Sequence, residues 1–195
     1  MQRATALVRP RRVLADLLPA VAWRDLLAVL GAAGLIGITA QIAFPLPGTP
    51  VPVTGQTFGV LLTGCALGSR RAPLASALYV ALGLVGVPWF VHASAGWQGP
   101  STGYLLGFVL SAALCGFLAE RGADRTVWRA LPTMVVGEVV TFACGVGWLG
   151  VDLHVSAAKA VALGLTPFLA GEGVKLAVAA GLLPASWALV ARLER

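Results

Sequence analysis

Six apolar runs, at residues 26–43, 55–68, 73–90, 102–119, 131–149 and 166–189, occupy most of this chain and constrain it more than any motif does. A membrane-crossing helix needs about 20 mostly apolar residues. The run at 55–68 is short, as a tilted segment or one opening onto a polar cavity would be. Of the 195 residues 58% are hydrophobic and 11% charged. A soluble domain carries about 25% charged residues and could not bury this much apolar surface. The pattern predicts an all-α, polytopic membrane protein: a compact bundle of six transmembrane helices over residues 26–195. Residues 1–25 precede it as an interfacial lead-in, amphipathic through Leu14, Leu17, Leu18 and Val21.

The charges orient the bundle. Arg3, Arg9, Arg11, Arg12 and Arg24 precede the first run, and Arg70 and Arg71 join the second to the third. Arg121, Arg125 and Arg129 join the fourth to the fifth, and Arg192 and Arg195 follow the sixth. Twelve of the fourteen Lys+Arg thus fall on one side of an even-crossing topology. The positive-inside rule then places both termini in the cytoplasm. The net charge of +6 has the same origin; no basic run interleaved with aromatics supports a nucleic-acid partner.

Several chemistries are excluded. There is no GxxxxGK[ST] sequence for nucleotide phosphates, no GxGxxG after a strand and no HExxH on a helix. Cys65, Cys115 and Cys144 form no CxxC pair and read as small buried residues. His92 and His154 fall in outer loops, away from any serine at membrane depth, so no nucleophile–base pair marks an enzyme. No metal site and no resident cofactor are indicated.

The polar features that remain point to a ligand. The first outer loop places prolines at 45, 47, 50 and 52 with no charge, a stiff extended cap offering Thr54 and Gln56 as neutral hydrogen-bonding groups. A second uncharged outer stretch carries Trp97, Gln98 and Tyr104, suited either to a partly apolar small molecule or to an interfacial aromatic belt. Glu172 and Lys175 share one helix face in the sixth run, and Glu138 lies in the fifth. Ionisable groups at membrane depth face the bundle interior. Glu172 and Lys175 are either a self-contained ion pair or a ligand site, with Lys175 meeting an anion and Glu172 accepting N–H donors. Glu138 can line the same cavity, and a proton relay is the other use for such groups. Gly64/Gly68 and Gly103/Gly107 have the spacing of close helix packing, and Ala28/Ala32 offers a similar face to a partner subunit.

Three stretches, in order, carry a resemblance. They are Ala40-Gln41-Ile42 running into Pro50-Val-Pro-Val-Thr-Gly-Gln56-Thr57, then Gly99-Pro-Ser-Thr-Gly-Tyr104-Leu-Leu-Gly-Phe108, then Pro167-Phe-Leu-Ala-Gly-Glu172-Gly-Val-Lys175-Leu. Together the chain resembles the BioY family, the biotin-binding S components of energy-coupling-factor transporters. The chain departs from that pattern in having Glu172 where Asp is usual, and Gly99-Pro-Ser-Thr-Gly-Tyr104 where GPTGGY is common. The resemblance implies a plasma-membrane protein that captures biotin near its outer face. It also implies a transmembrane T component and paired cytoplasmic ATPases as partners. A self-sufficient proton-coupled carrier of a small carboxylate, using Glu138, Glu172 and Lys175, is the alternative.

Overall fold

The computed structural model describes residues 13–17 and 23–193. Expectations for Leu18, Val21, Arg195 and the arginines before Val13 lie outside the described residues. Helices dominate: α1 (Arg24–Ala40), α2 (Gln56–Leu84), α3 (Thr102–Ala119), α4 (Val127–Asp152), α5 (Ala157–Gly164) and α6 (Leu169–Leu193). Short 3-10 turns at Val91–Ala93, Gly99–Ser101 and Thr166–Phe168 lead between them. One feature departs from an all-helical chain. A two-residue ribbon, β1 (Ala43–Phe44) antiparallel to β2 (Val53–Thr54), closes the proline-rich loop. Prolines within that loop cannot continue a helix, so the chain spans it extended.

α2 is not one straight rod. Gln56 Nε2 donates to Tyr79 Oη at 2.7 Å, yet 23 residues of straight helix would separate the two by about 34 Å. The chain reverses at Gly68, whose φ of 85° is open to glycine and costly for other residues. Two antiparallel arms result, over residues 56–67 and 69–84. The reversal precedes the Arg70–Arg71 turn read from the sequence, and both arginines belong to the second arm. Glu120, at the end of α3, accepts from both the backbone N and the Oγ of Ser69 at 2.8 Å, capping that arm.

Glycines set how closely the helices approach. A Cβ at Gly107 would sit 2.9 Å from the Thr141 Cα, and one at Gly103 would overlap Trp148, so α3 and α4 meet nearly backbone to backbone. Gly64 faces Ala112 and Cys115 of α3 in the same way. The packing expected of these three is observed. Gly68 makes the turn and is also closely packed, since a Cβ at Gly116 of α3 would overlap its backbone.

Among the described residues three helical stretches are each long and apolar enough to cross a membrane: Gly99–Ala119, Val127–Asp152 and Ala157–Leu193. α1, at 17 residues, and the two arms of α2 are shorter. α5 was unforeseen in what read as loop; Ser156 caps it by accepting from the Lys159 amide at 3.4 Å.

Candidate ligand-binding cavity

The proline-rich loop, the start of α2, the loop between α2 and α3, the first half of α3, Phe142 of α4 and the start of α6 surround a cavity of about 390 Å³. Small-molecule sites span about 300–1,000 Å³. Its walls are largely aromatic. Tyr104 and Phe142 meet edge to face at 5.8 Å, Phe142 and Phe168 pack at 5.9 Å, and Phe90 and Phe108 complete the lining. Pro50, Val51 and Pro52 from the proline-rich loop and His92, Ser94 and Gln98 from the loop before α3 also line it.

A closed polar network stands at the foot of the cavity. Lys175 Nζ donates to Glu172 Oε1 at 2.5 Å, to Thr57 Oγ1 at 2.8 Å and to the Thr54 carbonyl at 2.7 Å. Those three bonds use every proton of the ammonium. Thr57 passes its own hydroxyl proton to Glu172 Oε2 at 2.8 Å. Glu172 is 5% exposed and lines the cavity. An unpaired charge at this depth costs ~2.5–3.5 kcal/mol on insertion scales; here both charges are paired and hydrogen-bonded. The arrangement presents an ionised acceptor, held rigidly, to a ligand bearing N–H donors.

Neighbouring groups are equally committed. Gln56 takes a proton from Thr54 Oγ1 at 3.0 Å and gives one to Tyr79, whose backbone carbonyl accepts from Trp89 Nε1 at 3.0 Å. Tyr104 Oη donates to the Gly164 carbonyl at 2.6 Å, leaving its ring to the cavity. Gln41 clamps the mouth. Its Nε2 donates to the carbonyls of Trp89 and Phe90 at 3.0 and 3.1 Å, and its Oε1 accepts from the Ala93 amide at 3.1 Å. That clamp holds His92 and Ala93 at φ of 54° and 55°, a region L-residues seldom occupy.

The BioY family model matches residues 11–192. This chain belongs to the BioY family. It is 40% identical over 149 residues to a biotin transporter BioY of Thermotoga maritima, covering 75% of this chain and 85% of that one. It is 32% identical over 168 residues to a biotin transporter BioY of Rhizobium etli, covering 80% and 89%. Its fold is that of the S-component for biotin from an ECF-type ABC transporter, seen in a crystal structure: TM-score 0.76 at 21% identity, over 83% of this chain and 89% of that one. The relatives are transporters by name, not enzymes.

Within this BioY-family fold the residues singled out from sequence divide. Thr54, Gln56, Tyr104 and Glu172 line the cavity. Lys175 stands behind Glu172, its donors spent within the network. Trp97 is 64% exposed and packs edge to face on Trp148 at 5.8 Å, outside the cavity. Glu138 is buried without lining it, and neither carboxyl oxygen has a hydrogen-bond partner among the described residues. Ala28 is half-buried, and Ala32 is buried in the chain's own core. Thr57, Gln41, Tyr79 and the four phenylalanines were not anticipated as site residues. Gln41 and Thr57 did stand within the stretches that carried the family resemblance. The phenylalanines had no signal, since an apolar residue facing a cavity reads like one facing lipid.

Proposed function

We propose that this chain is the membrane-embedded S component of a biotin uptake system, taking biotin into the 390 Å³ cavity. The observation that carries the reading is Glu172, an ionised acceptor fixed between Lys175 and Thr57 and open to an aromatic-walled cavity. Biotin's ureido ring offers N–H donors to such an acceptor, and its apolar ring and chain suit the phenylalanines. Lys175 then acts chiefly by holding Glu172 ionised and oriented. Thr54, Gln56 and Tyr104 shape the wall, with Trp97 and Glu138 outside direct contact.

In this reading the two arms of α2 are separate crossings, making six with α1, α3, α4 and α6. Both termini face the cytoplasm of a cell whose plasma membrane holds the bundle in its lipid bilayer. Gathering of Arg24, Arg71 and Arg125 at the end remote from the cavity supports that orientation. Transport energy comes from a T component and cytoplasmic ATPases, because the chain has no phosphate-binding loop of its own. α1 is the proposed docking helix near Ala28 and Ala32. Ala28 is reachable there, and the exposed Leu27 and Leu30 flank it. No observation favours a self-sufficient carrier.

Labelled biotin binding to the purified protein in detergent tests the reading directly. Saturable binding that is competed by unlabelled biotin is the expected result; no binding to folded protein would sink it. Bulky replacement of Ala28 should abolish uptake in cells supplied with the ATPase module while leaving binding intact.

A further inference from the structure

Glu138 is the one buried ionisable group among the described residues that the cavity network leaves without a partner. It sits in α4 at 6% exposure, and both carboxyl oxygens lack a donor. Its neighbours are Glu172 and Lys175 from α6 and the Cys115 thiol from α3. The first arm of α2 carries no Asp, Glu, Lys or Arg, and the one such residue of α5, Lys159, is exposed. Glu172 is the nearest acidic neighbour acting on Glu138, and neither Glu138 oxygen finds a donor. Two ionised carboxylates are both pure acceptors, so no hydrogen bond can join them. Lys175 cannot serve Glu138 either, since its three protons go to Thr54, Thr57 and Glu172. The hydroxyl proton of Thr57 is likewise spent on Glu172.

Charge leads to the same place. Two carboxylates and one ammonium leave a net negative charge buried at membrane depth, where none is tolerated without compensation. One added proton makes the trio neutral and supplies the missing donor. Glu172 already has two donors stabilising its ionised form, whereas Glu138 has none, which decides where the proton resides.

We propose that Glu138 carries a proton in the working state and donates it as a hydrogen bond to Glu172, making Glu138 the positioning residue for the ligand's acceptor. Loss of that proton sets a second negative charge behind Glu172 and draws Lys175 away from it. Glu172, no longer held in place, presents a poorer acceptor to the ligand's N–H donors, and the added negative charge opposes an anionic ligand in the cavity, so affinity falls as pH rises. The affinity part rests on the proposed biotin site; the protonation of Glu138 does not.

Two measurements separate them. Infrared difference spectra of ligand-free protein, wild type minus Glu138→Gln, should show the carbonyl stretch of a protonated carboxylic acid; its absence overturns the proposal. Biotin affinity should be followed from mildly acidic to alkaline pH in wild type, Glu138→Gln and Glu138→Met. Wild-type affinity should decline toward alkaline pH. The Gln variant, whose amide still donates, should stay within about threefold of the neutral-pH wild type and show no pH dependence. The Met variant should bind about tenfold more weakly or worse, the effect of leaving a charged-group hydrogen bond unmade. A Gln variant that follows the wild-type pH profile overturns the proposal. So does a wild-type affinity that depends on sodium at fixed pH and not on pH, which would put a metal cation where the proton is placed. Should the Met variant fail to fold, the Gln variant and the infrared signal still decide. A wild type that binds no biotin would refute the proposed function, and the infrared result alone would then judge Glu138.

Discussion

The two ends of this bundle treat charge in opposite ways. At the cavity end, Glu172 and Lys175 are 7% and 16% exposed at the side chain, and each available proton of the pair has a defined acceptor. At the arginine end, Arg71 reaches Asp16 at 2.7 Å and Asp25 at 3.0 Å, but the Asp25 side chain is 59% exposed. Buried ion pairs are costly to desolvate and more costly still to break. Exposed ones contribute about 0–1 kcal/mol. Charge at the cavity end is therefore held in one fixed arrangement, as the proposed ligand site requires. At the arginine end it is looser and more exposed, as suits the topological role proposed for it.

The widest separation should appear in Glu172 and Lys175. Truncating one member of a buried charge pair costs ~2–5 kcal/mol, so Glu172→Gln and Lys175→Ala should each weaken biotin binding by about two orders of magnitude. Each should also lower the melting temperature in detergent. The double variant Lys175→Met/Glu172→Met should regain thermal stability, having no orphaned charge, while binding stays lost. Full biotin binding by the double variant would reduce the pair to a structural staple and erase the contrast between the ends.

A smaller effect is expected at the mouth. Gln41→Ala removes the bonds that fix residues 89–93 without touching the cavity wall. These bonds are exposed or part-buried and worth about 0.5–1.5 kcal/mol each, so biotin should dissociate about threefold to tenfold faster in a labelled-ligand chase. An unchanged dissociation rate would show that the proline-rich side alone controls access.

Asp124 is the exception at the arginine end and sharpens the comparison. It is fully buried between α3 and α4, accepting from Trp187 Nε1 at 2.6 Å, with Arg125 at 3.2 Å. Burial pushes its carboxyl above the ordinary 3.8, against the opposing pull of Trp187 and Arg125. The folded chain then binds this proton more tightly than the unfolded one does. Stability should accordingly rise as pH falls through the folded-state value, and level off below 3.8. Melting curves across pH should lose that component in Asp124→Asn.

Arg71→Ala should do least. Loss of two partly exposed ion pairs is worth about 1 kcal/mol each, so a shift of a few degrees in melting temperature, diminished by salt, is expected. Biotin affinity should not change. A change would mean that the N-terminal segment communicates with the cavity through α2.

Residues were legible in the chain where the membrane itself acts as the selector. Glu172, Lys175 and Glu138 stand out because a charge in an apolar run needs an explanation. Thr54, Gln56 and Tyr104 stand out because their loops are polar yet uncharged. The misplacements follow a single cause. Trp97 and Tyr104 look alike in sequence, but only the Tyr104 ring turns into the cavity, because its hydroxyl is drawn to the Gly164 carbonyl. Ala32 has the spacing of a docking face, yet α1 is rotated so that Ala32, Ala33 and Ile36 face inward. Gly68 looks like a packing glycine, and its role as a turn depends on Glu120, 52 residues away, capping the arm that follows.

Sequence by itself determined the solvent of this protein, its run of apolar segments, the side that carries its arginines, and which ionisable residues must be satisfied in the interior. Those properties are set by transfer between water and lipid, which acts on each segment separately. Only the tertiary structure decided which face of each helix meets another helix, lipid or the cavity. In a bilayer those environments are almost equally apolar, so hydropathy cannot tell them apart. The choice falls to backbone-close glycine contacts and to a few hydrogen bonds, such as Lys175 to Thr54, that join residues 121 positions apart.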